Sequence, residues 1–198
     1  MNFCPFPIIE TENLKLRRLR VADAVDLFAM RSDPRLHVHT DTRPDSSLEE
    51  TCAFIREMNR GIDENVWIVW GIEHRPTGRV IGTICIWNLK GDQVSGEVGY
   101  ALKPQYQGQG LMREALLAVI DYGFFTMQLR ILEARTEEKN SRSRGLLQRC
   151  GFDQVGLIEE MGEYNDRLFR MAIYRRYRDR GDGVRPNVGH RRTSMTTA

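Results

Sequence analysis

Gly108 and Gly110 stand one residue apart where a strand-like run gives way to a helix-like one, in the stretch EVGYALKPQYQGQGLMREALLAVIDYGFFT from Glu97 to Thr126. Without Cβ atoms these positions admit positive φ and let another molecule come close to the backbone. Leu111, Ala115, Val119, Ile120 and Phe124 recur at helical spacing beyond them, so the amides from about Gln109 to Arg113 open a helix and lack intrahelical partners. Free N–H groups at the positive end of a helix dipole form an anion site, with phosphate the usual ligand. The stretch is expected to cradle a pyrophosphate. A P-loop is excluded because Leu111 and Met112 follow Gly110 where Lys and Ser/Thr are needed, and a dinucleotide fingerprint because Arg113 holds its third glycine position.

Gln105-x-x-Gly108-x-Gly110 resembles the Q/R-x-x-G-x-G/A motif of the GNAT superfamily of acetyl-coenzyme A-dependent N-acetyltransferases. A register starting at Gln107 puts Met112 where Gly or Ala is commoner, so the Gln105 register is preferred. A second block strengthens the resemblance: Asn140, Ser143, Leu146, Gly151 and Phe152 match N-x-x-A/S-x-x-L-Y-x-x-x-G-F, except that Leu147 replaces the tyrosine. Many family members use that tyrosine to protonate the leaving coenzyme A thiolate. The serine at 143, Gly99-Tyr100 and Tyr-Gln-Gly-Gln-Gly-Leu-Met together look most like the branch that acetylates N-terminal alanines of ribosomal proteins (RimJ/RimL type).

The resemblance implies a fold and a set of roles. The fold is α/β, a mixed and mostly antiparallel sheet with helices on both faces, spanning roughly residues 10 to 175. Acetyl-coenzyme A is the implied cosubstrate, with no metal. Its pyrophosphate would lie over Gln107, Gly108, Gln109, Gly110, Leu111, Met112 and Arg113. Its pantetheine arm would follow the backbone of Tyr100, Ala101 and Leu102, with an N–H near Leu102 as oxyanion donor, and would meet Asn140 and Ser143. With Leu147 in the tyrosine's place, Ser143 is the expected proton donor to the thiolate.

Attack on a thioester requires a neutral amine. An α-amino group near pKa 7.8 is roughly 10% neutral at pH 7, against about 0.04% for a lysine near 10.4, so a protein N-terminus needs little base assistance. Glu97, Glu160 and Glu163 are the carboxylates considered for that step. Plainer roles stand beside these: Asn140 as a helix cap, Ser143 as a small residue permitting close approach, Glu97 as an ordinary strand carboxylate. The acidic residues Asp41, Asp45, Glu49 and Glu50 would suit a small polycation, a polyamine or amino antibiotic, as an alternative acceptor. A non-catalytic acyl-coenzyme A binding module is the third reading.

The elements that must position these groups follow from periodicity. Leu14 to Leu19 alternates as a strand, and Ala22 to Ser32 reads as a helix. The long polar loop DPRLHVHTDTRPDSS carries His37 and His39 two apart, sharing one face if extended; with no third ligand they do not read as a metal site, and an ordinary polar exterior stands ahead of substrate contact. Ser46-x-x-Glu49 reads as a capping box for a helix to about Asn59. Val66 to Glu73, Val80 to Trp87 and Val94 to Leu102 read as an antiparallel meander with turns at RPTG and KGDQ. Arg130 to Arg135 reads as a parallel neighbour of the last of these, Asn140 to Gly151 as a short helix, and Phe152 to Met161 with Arg167 to Tyr174 as a closing hairpin.

Composition fits one domain of this kind. The 198 residues are 41% hydrophobic and 28% charged, an ordinary globular mixture. No run approaches the roughly 18 apolar residues of a membrane span, and no secretory leader is expected. Cys4, Cys52, Cys85 and Cys150 lie far apart without metal-ligand spacing, as in a reduced, cytoplasmic protein. From Arg175 onward seven arginines face two aspartates. Residues 176–198 are therefore expected to form a basic, unstructured tail, with contact to the ribosome as the alternative.

Overall fold

The computed structural model describes residues 2–90, 94–164 and 166–178. Two short strands, β1 (Ile9–Glu10) and β2 (Leu14–Arg17), lead into α1 (Ala24–Arg31) and α2 (Leu48–Asp63). The meander follows as β3 (Ile68–His74), β4 (Arg79–Trp87) and β5 (Ser95–Leu102). Then come α3 (Leu111–Asp121), β6 (Ile131–Glu137), α4 (Ser141–Arg149), β7 (Asp153–Met161) and β8 (Leu168–Tyr177). All eight strands form one sheet in the order β1-β2-β3-β4-β5-β6-β8-β7. Every pairing is antiparallel except β5 with β6.

That exception is the feature that makes a site. α3 and the π-helical turn Tyr122–Thr126 supply the crossover that a parallel connection needs. Ladder pairing joins Ser95–Glu97 to Ile131–Glu133 and goes no further, although both strands continue, to Leu102 and Glu137. Beyond Glu97 the sheet therefore splits, and the facing strand edges keep backbone groups for another molecule.

The core that holds this split open is apolar on both sheet faces. Ile68, Trp70 and Ile72 of β3 and Ile84 and Ile86 of β4 are at most 1% exposed. Burying one such side chain contributes about 1.5–3 kcal/mol. Trp70 meets Tyr122 edge-on at 5.2 Å, fixing the end of the α3 crossover to the meander.

Several boundaries differ from the sequence expectations. α2 is capped by Ser47, which accepts the Glu50 N–H at 3.3 Å, while the Glu50 carboxylate accepts the Ser46 N–H at 2.8 Å. Both serines fit the same pattern; the cap sits one residue later than expected, and the return bond goes to the residue before it rather than closing a box. α2 also continues through Gly61 to Asp63, because that glycine lets the Trp67 ring lie against the helix; a Cβ there would come within 2.1 Å of it. β2 ends at Arg17, whose guanidinium binds Asp23 at 2.8 Å and Glu73 at 2.5 Å. β8 runs to Tyr177, past the expected tail boundary. Arg175 pairs with Glu133 at 2.7 Å, Arg176 donates to the Cys150 carbonyl and Arg178 to that of Phe124. Three of the seven arginines counted with the tail thus belong to the fold; residues 179–198 and most of the KGDQ turn lie outside the described residues.

Candidate active site

Two adjoining cavities occupy the split. The larger, about 830 Å³, is lined by Tyr100, Ala101 and Leu102 of β5, by Gly108, Gly110, Leu111, Met112 and Arg113, and by Asn140 and Ser143. The smaller, about 560 Å³, is lined by Val98, Gly99 and Tyr100 on one side and Ala134, Arg135 and Thr136 on the other, closed by Asp41, Glu160 and Glu163. His39, Thr40, Tyr100, Asn140 and Ser143 line both, so the cavities meet at these residues.

The larger cavity is built for an anion. Gly108 and Gly110 have φ of +78° and +82°, and a Cβ at either would meet nothing within 4 Å. Packing does not demand glycine there; the left-handed backbone and the open space beside it do. Gly110 is the N-cap of α3 and caps the first turn with no side chain, leaving those amides facing the cavity. Arg35, Lys139, Arg142 and Arg149 add positive charge around the same space. The residues present therefore fit a pyrophosphate-bearing cosubstrate.

The glutamines sort the two motif registers. Gln107 lines the cavity; its amide donates to the Leu102 carbonyl at 2.9 Å and its oxygen accepts from Arg142 at 3.1 Å, tying the end of β5 to α4. Gln105 is exposed and lines neither cavity. The Gln109 side chain folds back onto the Gln105 carbonyl at 2.8 Å and also stays outside the lining. The register starting at Gln107 is thus the one that faces the cavity, because α3 begins at Leu111.

At the junction, Asn140 caps α4 by accepting the Ser143 N–H at 3.1 Å. The Ser143 hydroxyl lies 2.9 Å from the Tyr100 hydroxyl. Burial pushes the Tyr100 phenol up to about 12, against the lowering effect of the Ser143 bond, so the phenol keeps its proton at neutral pH. Leu147, in the tyrosine's place, is fully buried and supplies no polar group.

The three expected carboxylates part company. Glu97 is 7% exposed and lines neither cavity. Its carboxylate turns to Asn88 at 3.3 Å and Arg135 at 3.8 Å, and burial raises its pKa. It stands at the last paired position of the β5–β6 ladder, short of the split. Glu160 and Glu163 line the smaller cavity, Glu160 paired with Arg135 at 3.0 Å. Asp41, read from sequence only as part of an acidic run, accepts the Glu163 N–H at 2.5 Å and the Tyr164 N–H at 3.2 Å, fixing the β7–β8 turn over the cavity. The two loop histidines do not act together. His37 bonds the Arg31 carbonyl and Thr42, whereas His39 bonds the buried Glu137. Among the described residues no cluster of three or more His, Cys, Asp or Glu could hold a metal ion.

Residues 13–153 match the family model described as an acetyltransferase (GNAT) domain. The chain belongs to the GNAT family. It is 30% identical over 169 residues to YoaA of Bacillus subtilis (strain 168), named as an uncharacterized N-acetyltransferase, covering 85% of this chain and 96% of that one. Over 75 residues, 36% of this chain and 39% of the relative, it is 35% identical to the [ribosomal protein uS5]-alanine N-acetyltransferase of Escherichia coli (strain K12). The crystal structure of a ribosomal-protein-S5-alanine acetyltransferase from Vibrio fischeri shares the fold, with a TM-score of 0.77, 22% identity and coverage of 88% of this chain and 98% of that one. The mixed sheet and its flanking helices are the GNAT fold, and the protein is an acetyltransferase.

Proposed function

We propose that this acetyltransferase moves the acetyl group of acetyl-coenzyme A to the N-terminal α-amine of a protein, as the uS5-alanine relative does by its name. The observation that carries this reading is the meeting of an anion-binding cavity and an acid-rimmed one at Tyr100, Asn140 and Ser143. The amides from Gln109 to Arg113 would hold the pyrophosphate, and the open edge of β5 at Tyr100, Ala101 and Leu102 would bond the pantetheine arm. Asn140 would orient that arm while capping α4. Ser143, backed by the protonated Tyr100 phenol, would give its proton to the sulfur as the thioester breaks. Glu160 and Glu163 would draw the acceptor ammonium into the smaller cavity.

Residues 1–175, extended to the end of β8 at Tyr177, would form the catalytic domain, with the remaining basic residues as a tail suited to an anionic partner such as the ribosome. Among the described residues no helix is long and apolar enough to cross a membrane. A cytoplasmic site suits the four free cysteines.

The acid rim also favours a second reading, a small polyamine acceptor. Thiol release from acetyl-coenzyme A separates the two, using peptides with N-terminal Ala or Ser, the same peptides N-terminally blocked but carrying lysine, spermidine and an aminoglycoside. The α-amine peptides are expected to turn over fastest, by about two orders of magnitude in neutral fraction over lysine. Preference for spermidine or the blocked peptide overturns the α-amine reading.

A further inference from the structure

We propose that His39, held by Glu137, takes the proton from the acceptor ammonium. This rests on the acetyl-transfer reading above and assigns its missing base. Glu137 is 3% exposed at the end of β6, and its carboxylate is bonded by Arg167 and by His39 Nδ1, the latter at 2.5 Å. Burial alone would push Glu137 up, but the hydrogen bond from His39 and the Arg167 charge outweigh it and hold the carboxyl below its usual range. An ionised carboxylate only accepts, so Nδ1 carries the hydrogen, and in the neutral ring Nε2 then keeps its lone pair. Nε2 has no hydrogen-bond partner among the described residues, and the ring lines both cavities beside Ser143 and Tyr100.

Of the competing carboxylates, Asp41 is occupied by two backbone amides and Glu160 by Arg135, Glu97 lines neither cavity, and Glu163 is exposed at the β7–β8 turn. Of the charged groups around it, Glu137 and its partner Arg167 lie behind the His39 ring, Asp41, Arg135, Glu160 and Glu163 share the smaller cavity with His39, and Arg35 and Lys139 share the larger.

The protons balance. The ammonium gives one proton to Nε2, and the neutral amine attacks the thioester carbonyl carbon. The C–N bond forms and the C–S bond breaks. The second amine proton passes to Ser143 as the serine gives its own to the departing sulfur, and His39 returns the first proton to solvent. The products are the acetamide, the free thiol and one proton.

The test compares kcat/KM of wild type and His39→Gln for an α-amine peptide from about pH 6.5 to about 9.5, with coenzyme A affinity as the check on folding. A loss of about 100-fold near pH 7 is expected. It should narrow to about tenfold or less above the amine's own titration, where solvent removes the proton unaided. A ratio that stays flat with pH, or a loss below about threefold, overturns the proposal. Should the glutamine variant misfold, His39→Ala with added imidazole decides: recovery of about tenfold supports the role and no recovery overturns it. Glu137→Gln, a positioning change, should shift the acid limb of the profile, which lost packing alone would not do. Wild-type protein that turns over no amine overturns the acetyl-transfer reading instead, before any variant is made.

Discussion

The larger cavity takes half of its lining from one run of chain, residues 100–113, with α4 beside it. The smaller is tied together by bonds that span 98 positions from His39 to Glu137, 122 from Asp41 to Glu163 and 129 from Val38 to Arg167. A local motif makes the first: two left-handed glycines and a helix start are enough to present amides. Charge-assisted long-range bonds make the second, and they hold a loop and a hairpin that have little apolar surface to bury. The cosubstrate wall should therefore fail by single backbone changes, and the acceptor wall by loss of its carboxylates.

The largest effect is expected where the walls meet. Ser143→Ala should lower kcat roughly 10- to 100-fold with the KM for acetyl-coenzyme A nearly unchanged, the pattern of an interaction made mainly in the transition state. Asn140→Ala should instead raise that KM. Steady-state kinetics of the two variants checks this, and full kcat in Ser143→Ala would reduce the serine to a spacer.

Next comes the anchor of the acceptor loop. Asp45 binds Arg31 through two bonds of 2.7 and 2.9 Å and accepts from Thr51 at 2.6 Å. Asp45→Asn should cost about 2 kcal/mol, read as a lower denaturation midpoint. Burial would push the Asp45 carboxyl up, but the bonds from Arg31 and Thr51 outweigh it and hold it low, as Arg17 does for Asp23. A depressed carboxyl contributes stability above its unfolded value near about 4 and loses it as pH falls through the folded value. Acid titration of the wild type should accordingly show stability declining below about pH 4, with a smaller decline in Asp45→Asn.

Why one wall was legible and the other was not follows from the same contrast. The Gly108–Gly110 turn, the α3 start and the Asn140 cap rest on residues within a turn or two of one another, where periodicity and capping chemistry speak directly. The register of the motif was decided only by where α3 begins. His39 stood in the sequence as one of two histidines sharing a face, yet its partner Glu137 lies on another strand and no spacing rule joins them. Glu97 looks equivalent to Glu160 and Glu163 in sequence, but it sits where β5 and β6 are still paired and lines neither cavity. The Tyr100–Ser143 bond joins β5 to α4 across 43 positions, so a phenol reaches the serine from a strand rather than from the expected helix position.

Asp41→Asn sharpens the comparison further. It weakens the bonds to the Glu163 and Tyr164 amides, and should raise the acceptor KM about tenfold while coenzyme A affinity stays within about twofold. Loss of cofactor affinity in that variant would show that the walls are not independent. The smallest effect is expected for Gln107→Ala, which frees the end of β5 from Arg142 and should weaken coenzyme A about threefold.

The seat of the pyrophosphate is tested most directly by calorimetric titration of coenzyme A into wild type and Gly110→Val. A β-branched residue at a φ of +82° is strained, and its side chain would fill the space beside the first α3 amides. Binding to the wild type and an affinity at least about 30-fold lower in a folded Gly110→Val protein are predicted. Equal affinity for the two proteins would contradict the cradle.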